Sequence, residues 1–403
     1  MYLSREEERL FEGEEGKAKA LAMKILVNLG DLKEADRLIP IRSAHISGVS
    51  YKTGGEGLVN YLDSLVKGGA KVTVPSTLNP AGMDLRRWDE MGVPEDFAKV
   101  QKRIIDDFAE MGVQLTCACV PYEMSPVARE ISLGDHIAWG ESNAVIYANS
   151  MVGARTNREG GPSSLACAII GKTPNYGLHL NEGRRPNIEV RVNGEMDHLE
   201  FNLLGAHVGK EFPRDRAIFR GIDPGSGREK MKQLGAALAA KGGHPIYHVE
   251  GMTPEAHLYP QRKTEVTHKI EIDASSLKSL KDDLYPPEGS PELFVLGCPQ
   301  FGPFEFRRLA KLVRGKRIKK EKRIWVFTGR DMMDLVDDNM IKTILDAGVE
   351  IYFDTCMVVT PLLEMGITNV GTDSAKAAHY IPRLLGSRAS LIPLESIVEE
   401  SLK

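Results

Sequence analysis

Three of the five cysteines stand where an apolar, strand-like run gives out: Cys119 in VQLTCACVPY, Cys298 in LFVLGCPQ and Cys356 in VEIYFDTCMVV. Each is followed closely by a helix pattern or a chain-turning proline. In open α/β folds, ligand sites gather where strands end and helices begin. Three scattered thiolates meeting there would hold an iron–sulfur cluster and leave one iron without a protein ligand. An open coordination position is a Lewis acid, so these residues point to metal-assisted lyase chemistry. The tight Cys-x-x-Cys pairs of zinc ribbons are missing. Cys117 and Cys119 point to opposite faces if the strand continues through them, so one of the pair is the ligand. Spacing leaves two rivals open: an electron carrier whose cluster is closed by Cys117 or Cys167, and a zinc-stabilised binding module. Cys167, in the helix-like run SSLACAIIG, reads as core.

The segment WGESNAVIYANSMVGARTNREGGPSSL, residues 139–165, carries the densest polar chemistry. Glu141, Ser142, Asn143, Asn149, Ser150, Arg155, Thr156, Asn157, Arg158 and Glu159 set donors and acceptors beside glycines. Gly160–Gly161 lets the backbone approach a ligand closely, and Arg155 or Arg158 is suited to clamp a carboxylate or phosphate. The bland reading is a surface loop capping the next helix at Ser163 or Ser164. AHISGVSYKTGGEG pairs His45 and Ser47 with a glycine-rich loop from Gly48 whose N–H groups suit an anion; a hydrogen-bonded structural histidine is the plain alternative. GTDSAKAAHYIPRL gathers Asp373, Ser374, Lys376 and His379, and helix capping explains half of it. No Walker pattern and no G-x-G-x-x-G follows a strand, so nucleotide binding has no support.

Positioning such residues takes parallel sheets with crossover helices, and strand and helix patterns alternate as those demand. LSREEERLFEGEEGKAKALAMKILVNLGDL predicts two helices, with Ser4 and Glu7 in a capping-box pattern at the first. LIPIRSAHISGVSY predicts a short buried strand, and KGGAKVTVPSTLNP a strand ending at Pro75. A helix near 95–111, a strand in VQLTCAC and a helix near 141–151 come next, then strand, turn and helix in VFTGRDMMDLVDD and helix, turn and strand in IKTILDAGVEIYFDTC. Residues 188–202, with a central Asn-Gly, predict a hairpin. A soft boundary falls near 285–290, where YPPEGSP interrupts.

The totals agree with a large α/β assembly: 403 residues, 42% hydrophobic, 27% charged. A formal net charge of −4 argues against broad nucleic-acid or membrane-surface binding. No apolar stretch approaches the roughly 18 residues of a membrane span, and the charged start is no secretory signal, which places the chain in the cytoplasm. The basic run from Arg307 to Arg323 predicts a helix end feeding a solvated loop, with a patch for a phosphorylated substrate or acidic partner as the sharper option.

Taken together, the long 141–165 segment, Cys119-Val-Pro-Tyr122, Gly297-Cys-Pro299, Asp354-Thr-Cys356 and SAKAAHY resemble the aconitase X family, over nearly the whole chain. The resemblance implies an aconitase-like, multi-layer α/β catalytic region. The swivelling domain of aconitases would be lacking here and supplied by a small partner subunit. Within the family the chain looks like the large subunit of the archaeal, two-subunit branch. Carried over, the match makes Cys119, Cys298 and Cys356 ligands of a [4Fe–4S] cluster with one open iron. The implied reaction is dehydration of (R)-5-phosphomevalonate to trans-anhydromevalonate 5-phosphate, with the base a serine of the partner; cis-3-hydroxy-L-proline is the rival substrate. His45, Ser47 and Glu141 are implied for proton handling. Gly48, Ser142, Asn143, Arg155, Thr156, Asn157, Arg158 and Lys376 are implied for the phosphorylated carboxylate, with Lys52, Arg184 and Arg185 as further cations for its phosphate.

Overall fold

A computed structural model of the chain describes residues 1–123, 130–285, 289, 291 and 293–402. The soft boundary near 285–290 therefore lies largely outside the described residues. Two helices open the chain, Arg5–Glu12 and Lys17–Leu32. Ser4 and Glu7 close the capping box over the first, each side chain meeting the other's N–H.

Three parallel sheets follow. The first orders Ser76–Leu78, Ala44–Ile46 and Ala138–Trp139. The second orders Tyr247–Val249, Ala217–Arg220, Ile188–Asn193 and His268–Asp273. The third orders Glu350–Tyr352, Ile324–Phe327, Leu293–Leu296, Asn369–Thr372 and Arg388–Leu391. The third sheet's strands Leu293–Leu296 and Ile324–Phe327 are buried along their whole length, as parallel strands covered on both faces must be.

Several sequence expectations change. KGGAKVTVP is not a strand; its amides pair singly with loop and helix carbonyls (Val72 N–H to Met111, Thr73 N–H to Ala168), and the strand begins after Pro75. VQLTCAC is also irregular: beyond one bridge from Gln114 to Thr77 the ladder stops, and Cys117 adopts a left-handed φ of 44°. Residues 188–202 form no hairpin. Ile188–Asn193 is a central strand of the second sheet, and Asp197 with Glu200 then caps the helix His198–Glu211. LIPIRSAHI holds two short strands, since Leu38–Pro40 pairs with Lys172–Pro174 instead of joining the first sheet. The basic run is the end of the helix Pro303–Val313 and a mostly exposed loop, with Arg308, Lys322 and Arg323 paired to Glu395, Glu400 and Glu350.

What positions the site is how the sheets meet. One apolar cluster joins Val120, Trp139 and Val145 from the first part with Phe294, Leu296 and Phe306 from the last. The helix Arg228–Gly242 of the middle part packs on both, against Ser142–Tyr147 and Ala375–Tyr380. Among the described residues no helix is long and apolar enough to cross a membrane.

Candidate active site

The carboxyl ends of the first and third sheets open onto one cavity of about 180 Å³. Ser47 follows the strand Ala44–Ile46, Asn79 and Pro80 follow Ser76–Leu78, and Gly140, Glu141 and Ser142 follow Ala138–Trp139. From the other side come Gly297 and Cys298 after Leu293–Leu296, Cys356 after Glu350–Tyr352, and Lys376 in the helix that follows Asn369–Thr372. Cys119 completes the lining. Strand ends are where backbone N–H groups and helix starts leave polar groups unpaired, so two sheets meeting there concentrate binding capacity.

The three thiols are buried. Burial pushes Cys119 up to about 11 and Cys298 up to about 12, and lifts Cys356 well above the ordinary range. The Lys376 ammonium draws all three down, by less than burial lifts them. Such thiols stay protonated unless a metal takes the proton's place. Among the described residues no three His, Cys, Asp or Glu side chains converge on a single ion. A cluster makes no such demand, because it takes each thiolate on a different iron. The donor set fits one. Three sulfurs line one cavity, the Gln300 N–H points at Cys119 Sγ from 3.3 Å, and the Asn143 carboxamide oxygen is buried with no partner beside them. Cys117 and Cys167 do not line this cavity and pack in the apolar cluster of the N-terminal part.

The cavity holds a buried ion pair. Lys376 donates to Glu141, which also accepts from Ser142 Oγ at 3.1 Å and caps its helix at the Ala144 N–H, 2.8 Å away. Burial alone would raise the Glu141 carboxyl, but the Lys376 charge and these hydrogen bonds outweigh it and hold it lowered. Burial likewise opposes the Lys376 charge, and the Glu141 carboxylate reverses that, so Lys376 is held protonated. Glu141 is thus a fixed anion that orients Lys376, not a base poised near neutrality.

Of the residues singled out in the sequence, Ser47, Glu141, Ser142, Arg158, Lys376 and the three cysteines line this cavity. The others do not. His45 is fully buried behind it, with Nδ1 2.9 Å from Thr77 Oγ1 and Nε2 3.3 Å from Asn79 Oδ1; burial lowers it to about 4, so a neutral ring orients Asn79. Gly48 faces a neighbouring apolar pocket that shares Ser47. Asn143 holds the Cys119 carbonyl and the Tyr122 hydroxyl. Thr156 and Asn157 brace the chain, bonding Trp139 N–H, Tyr176 O and Leu178 N–H. Arg155 points elsewhere, to His179 O and Asn181, in a depression it shares with Arg184 and Arg185. Arg184 is committed to Glu255, and Lys52 to Glu364. Gly161 does make a close approach, but to protein: a Cβ there would sit 2.6 Å from Ser47 O. Asn79, Pro80, Val359 and Tyr380 also line the cavity and escaped the sequence reading. The only signal for Asn79 was a polar turn after a strand.

Three family models cover the chain: aconitase X first domain over residues 1–182, second domain over 186–282 and third domain over 291–403. The phosphomevalonate dehydratase large subunit of Methanosarcina mazei is 40% identical, covering 100% of this chain and 97% of that one. The cis-3-hydroxy-L-proline dehydratase of Pseudomonas aeruginosa is 33% identical over 98% of this chain and 69% of its own length. Aconitase X of Thermococcus kodakaraensis, crystallised in its holo-form, superposes with a TM-score of 0.90 at 39% identity, covering 100% of both chains.

Proposed function

The chain belongs to the aconitase X family and is a dehydratase of that family, and from this premise we propose that it converts (R)-5-phosphomevalonate to trans-anhydromevalonate 5-phosphate. The 40% identity to the Methanosarcina enzyme that carries the phosphomevalonate name, against 33% to the Pseudomonas hydroxyproline enzyme, supports that substrate. The observation that carries the mechanism is the single cavity where three thiols, a protonated lysine and an arginine meet.

Cys119, Cys298 and Cys356 would hold a [4Fe–4S] cluster. When bound, it supplies Lewis-acid chemistry at an iron without a protein ligand, which makes a tertiary hydroxyl a better leaving group. The reaction breaks that C–O bond and a C–H bond next to the carboxylate, forms the C=C bond and releases water. Charge grows on the carboxylate as the proton leaves. Lys376, already charged and held by Glu141, offsets it at no cost in reorganisation. Arg158, exposed and hydrogen-bonded to the Tyr380 hydroxyl at 3.3 Å, meets the anionic groups of the substrate. Ser47, Asn79 and Ser142 orient it by hydrogen bonds. The proton acceptor is a serine of a small partner subunit; the relatives' designation as large subunits supports the existence of that partner.

The test is to purify the chain anaerobically with its small partner, reconstitute it with iron and sulfide, and offer both substrates. Phosphomevalonate should lose water. Turnover of cis-3-hydroxy-L-proline alone would overturn the choice.

A further inference from the structure

One fully buried side chain joins all three cysteine segments. Gln300 lies two residues after Cys298, in the same loop. Its Oε1 accepts the Cys119 N–H at 2.9 Å, and its Nε2 donates to the carbonyl of Thr355, the residue before Cys356, also at 2.9 Å. Its own backbone N–H points at Cys119 Sγ from 3.3 Å. The loop is anchored in turn from the middle part of the chain. Lys232, buried in the helix Arg228–Gly242, donates to the Gln300 carbonyl at 2.9 Å and pairs with Glu123 and Glu305, which lie just beyond Cys119 and Cys298.

These three loops come from distant parts of the sequence, and among the described residues no ladder joins them to one another, although the segments before Cys119 and Cys356 each bond to residues 78–81. A carboxamide carries its acceptor and its donors on separate atoms, so it can take one backbone's N–H and give to another's carbonyl across the gap between them. A carboxylate would lose the donor to Thr355, and an apolar residue would leave a buried N–H and a buried C=O unpaired. We propose that Gln300 is the positioning residue that sets the three thiols at cluster spacing before any metal arrives. The inference rests on the cluster assignment above. In metal sites, groups that hold the ligands account for about 10–100-fold in retention.

The experiment compares the full wild-type chain with Gln300→Leu, Gln300→Glu and Leu234→Ala, the last a control that opens the apolar core of the middle part. In apoprotein, hydrogen exchange at Cys119 and across 353–358 should speed up about fivefold in Gln300→Leu, the factor that losing one hydrogen bond corresponds to. Gln300→Glu, which keeps the acceptor, should spare Cys119 but not Thr355–Cys356, and Leu234→Ala should leave both segments unchanged. After anaerobic reconstitution, iron loss to a chelator should quicken about tenfold in Gln300→Leu. The electron paramagnetic resonance of its reduced cluster should shift, while that of Leu234→Ala should not. Equal exchange and equal iron loss in wild type and Gln300→Leu would overturn the role of Gln300 while leaving the cluster standing. Failure of the wild-type chain itself to retain iron would overturn the cluster assignment, whatever the exchange data show.

Discussion

Glu141 and Lys376 are the two residues on which the proposed chemistry turns, and the worth of their pairing is testable in isolation from turnover. Both members are buried, and each is held charged mainly by the other. Removing one partner from such a pair leaves an uncompensated charge and costs about 3–5 kcal/mol, whereas replacing both by apolar groups costs far less. In urea titrations of apoprotein, Lys376→Met and Glu141→Leu should each therefore lower stability by several kcal/mol, about 3 or more, and the double variant should recover much of it. Additive losses would mean the pair is solvated and carries no fixed charge to the cavity. Activity should follow a different rule. Glu141→Gln keeps the cap on Ala144 but leaves the Lys376 charge uncompensated, so it should lower kcat as well as stability.

At the scale of elements, the site is built from strand ends, and glycine decides how closely they meet. Gly297 sits at a φ of 101° with a would-be Cβ 2.3 Å from Phe327 O, one residue before Cys298. Gly348 has a similar φ of 94°, but its would-be Cβ meets nothing nearer than 3.8 Å. Alanine at Gly348 should cost only the backbone penalty, about 1–2 kcal/mol. Alanine at Gly297 must also push two neighbouring strands apart, so it should cost more and lower the iron bound per chain. Equal losses at the two sites, measured by urea midpoint and iron content, would show that the close approach is unimportant. The first two helices and three strands of the third sheet were legible in the sequence because their apolar periodicity and caps are local: Ser4 with Glu7, the run before Gly297, the run before Asp354. Where the reading failed, the amides had been claimed from a distance. Val72 and Thr73 look like a strand but bond to Met111 and Ala168. Cys119 looks like a strand residue but gives its N–H to a side chain from residue 300. The Asn-Gly of 193–194 ends a parallel strand because the partners of Ile188–Asn193 come from residues 217–220 and 268–273. The cavity had the same asymmetry. Thiols, Glu141 and Lys376 were visible by type, while Arg155 and Arg158 looked equivalent three residues apart, and only the fold sends one to the cavity and the other to Asn181.

Over the whole molecule, this way of building a site from buried strand ends has a consequence for acid stability. Eight of the ten histidines are held below the ordinary value of 6.5, each mainly by burial. His45, His198, His244, His248 and His379 fall to about 4. Unfolding returns each ring to water, where it takes up a proton below about 6.5. Between pH 6.5 and 4 the unfolded chain therefore binds more protons than the folded one, so stability rises with pH across that window. The contribution is complete above about 6.5 and is lost as pH falls toward 4. A few buried carboxyls oppose the trend: Asp373, raised to about 6 by burial, would release a proton on unfolding in the same range, and Glu159 is raised in the same sense. They are outnumbered. The urea midpoint of apoprotein should thus fall steadily from pH 7 to pH 5, with net proton uptake on unfolding at pH 5.5. The slope should be shallower in His248→Gln, whose ring is buried against the Arg184 carbonyl and touches none of the cavity residues named above. A midpoint that holds level or rises on acidification would mean that the raised carboxyls, and not the neutral histidines, govern the molecule's response to acid.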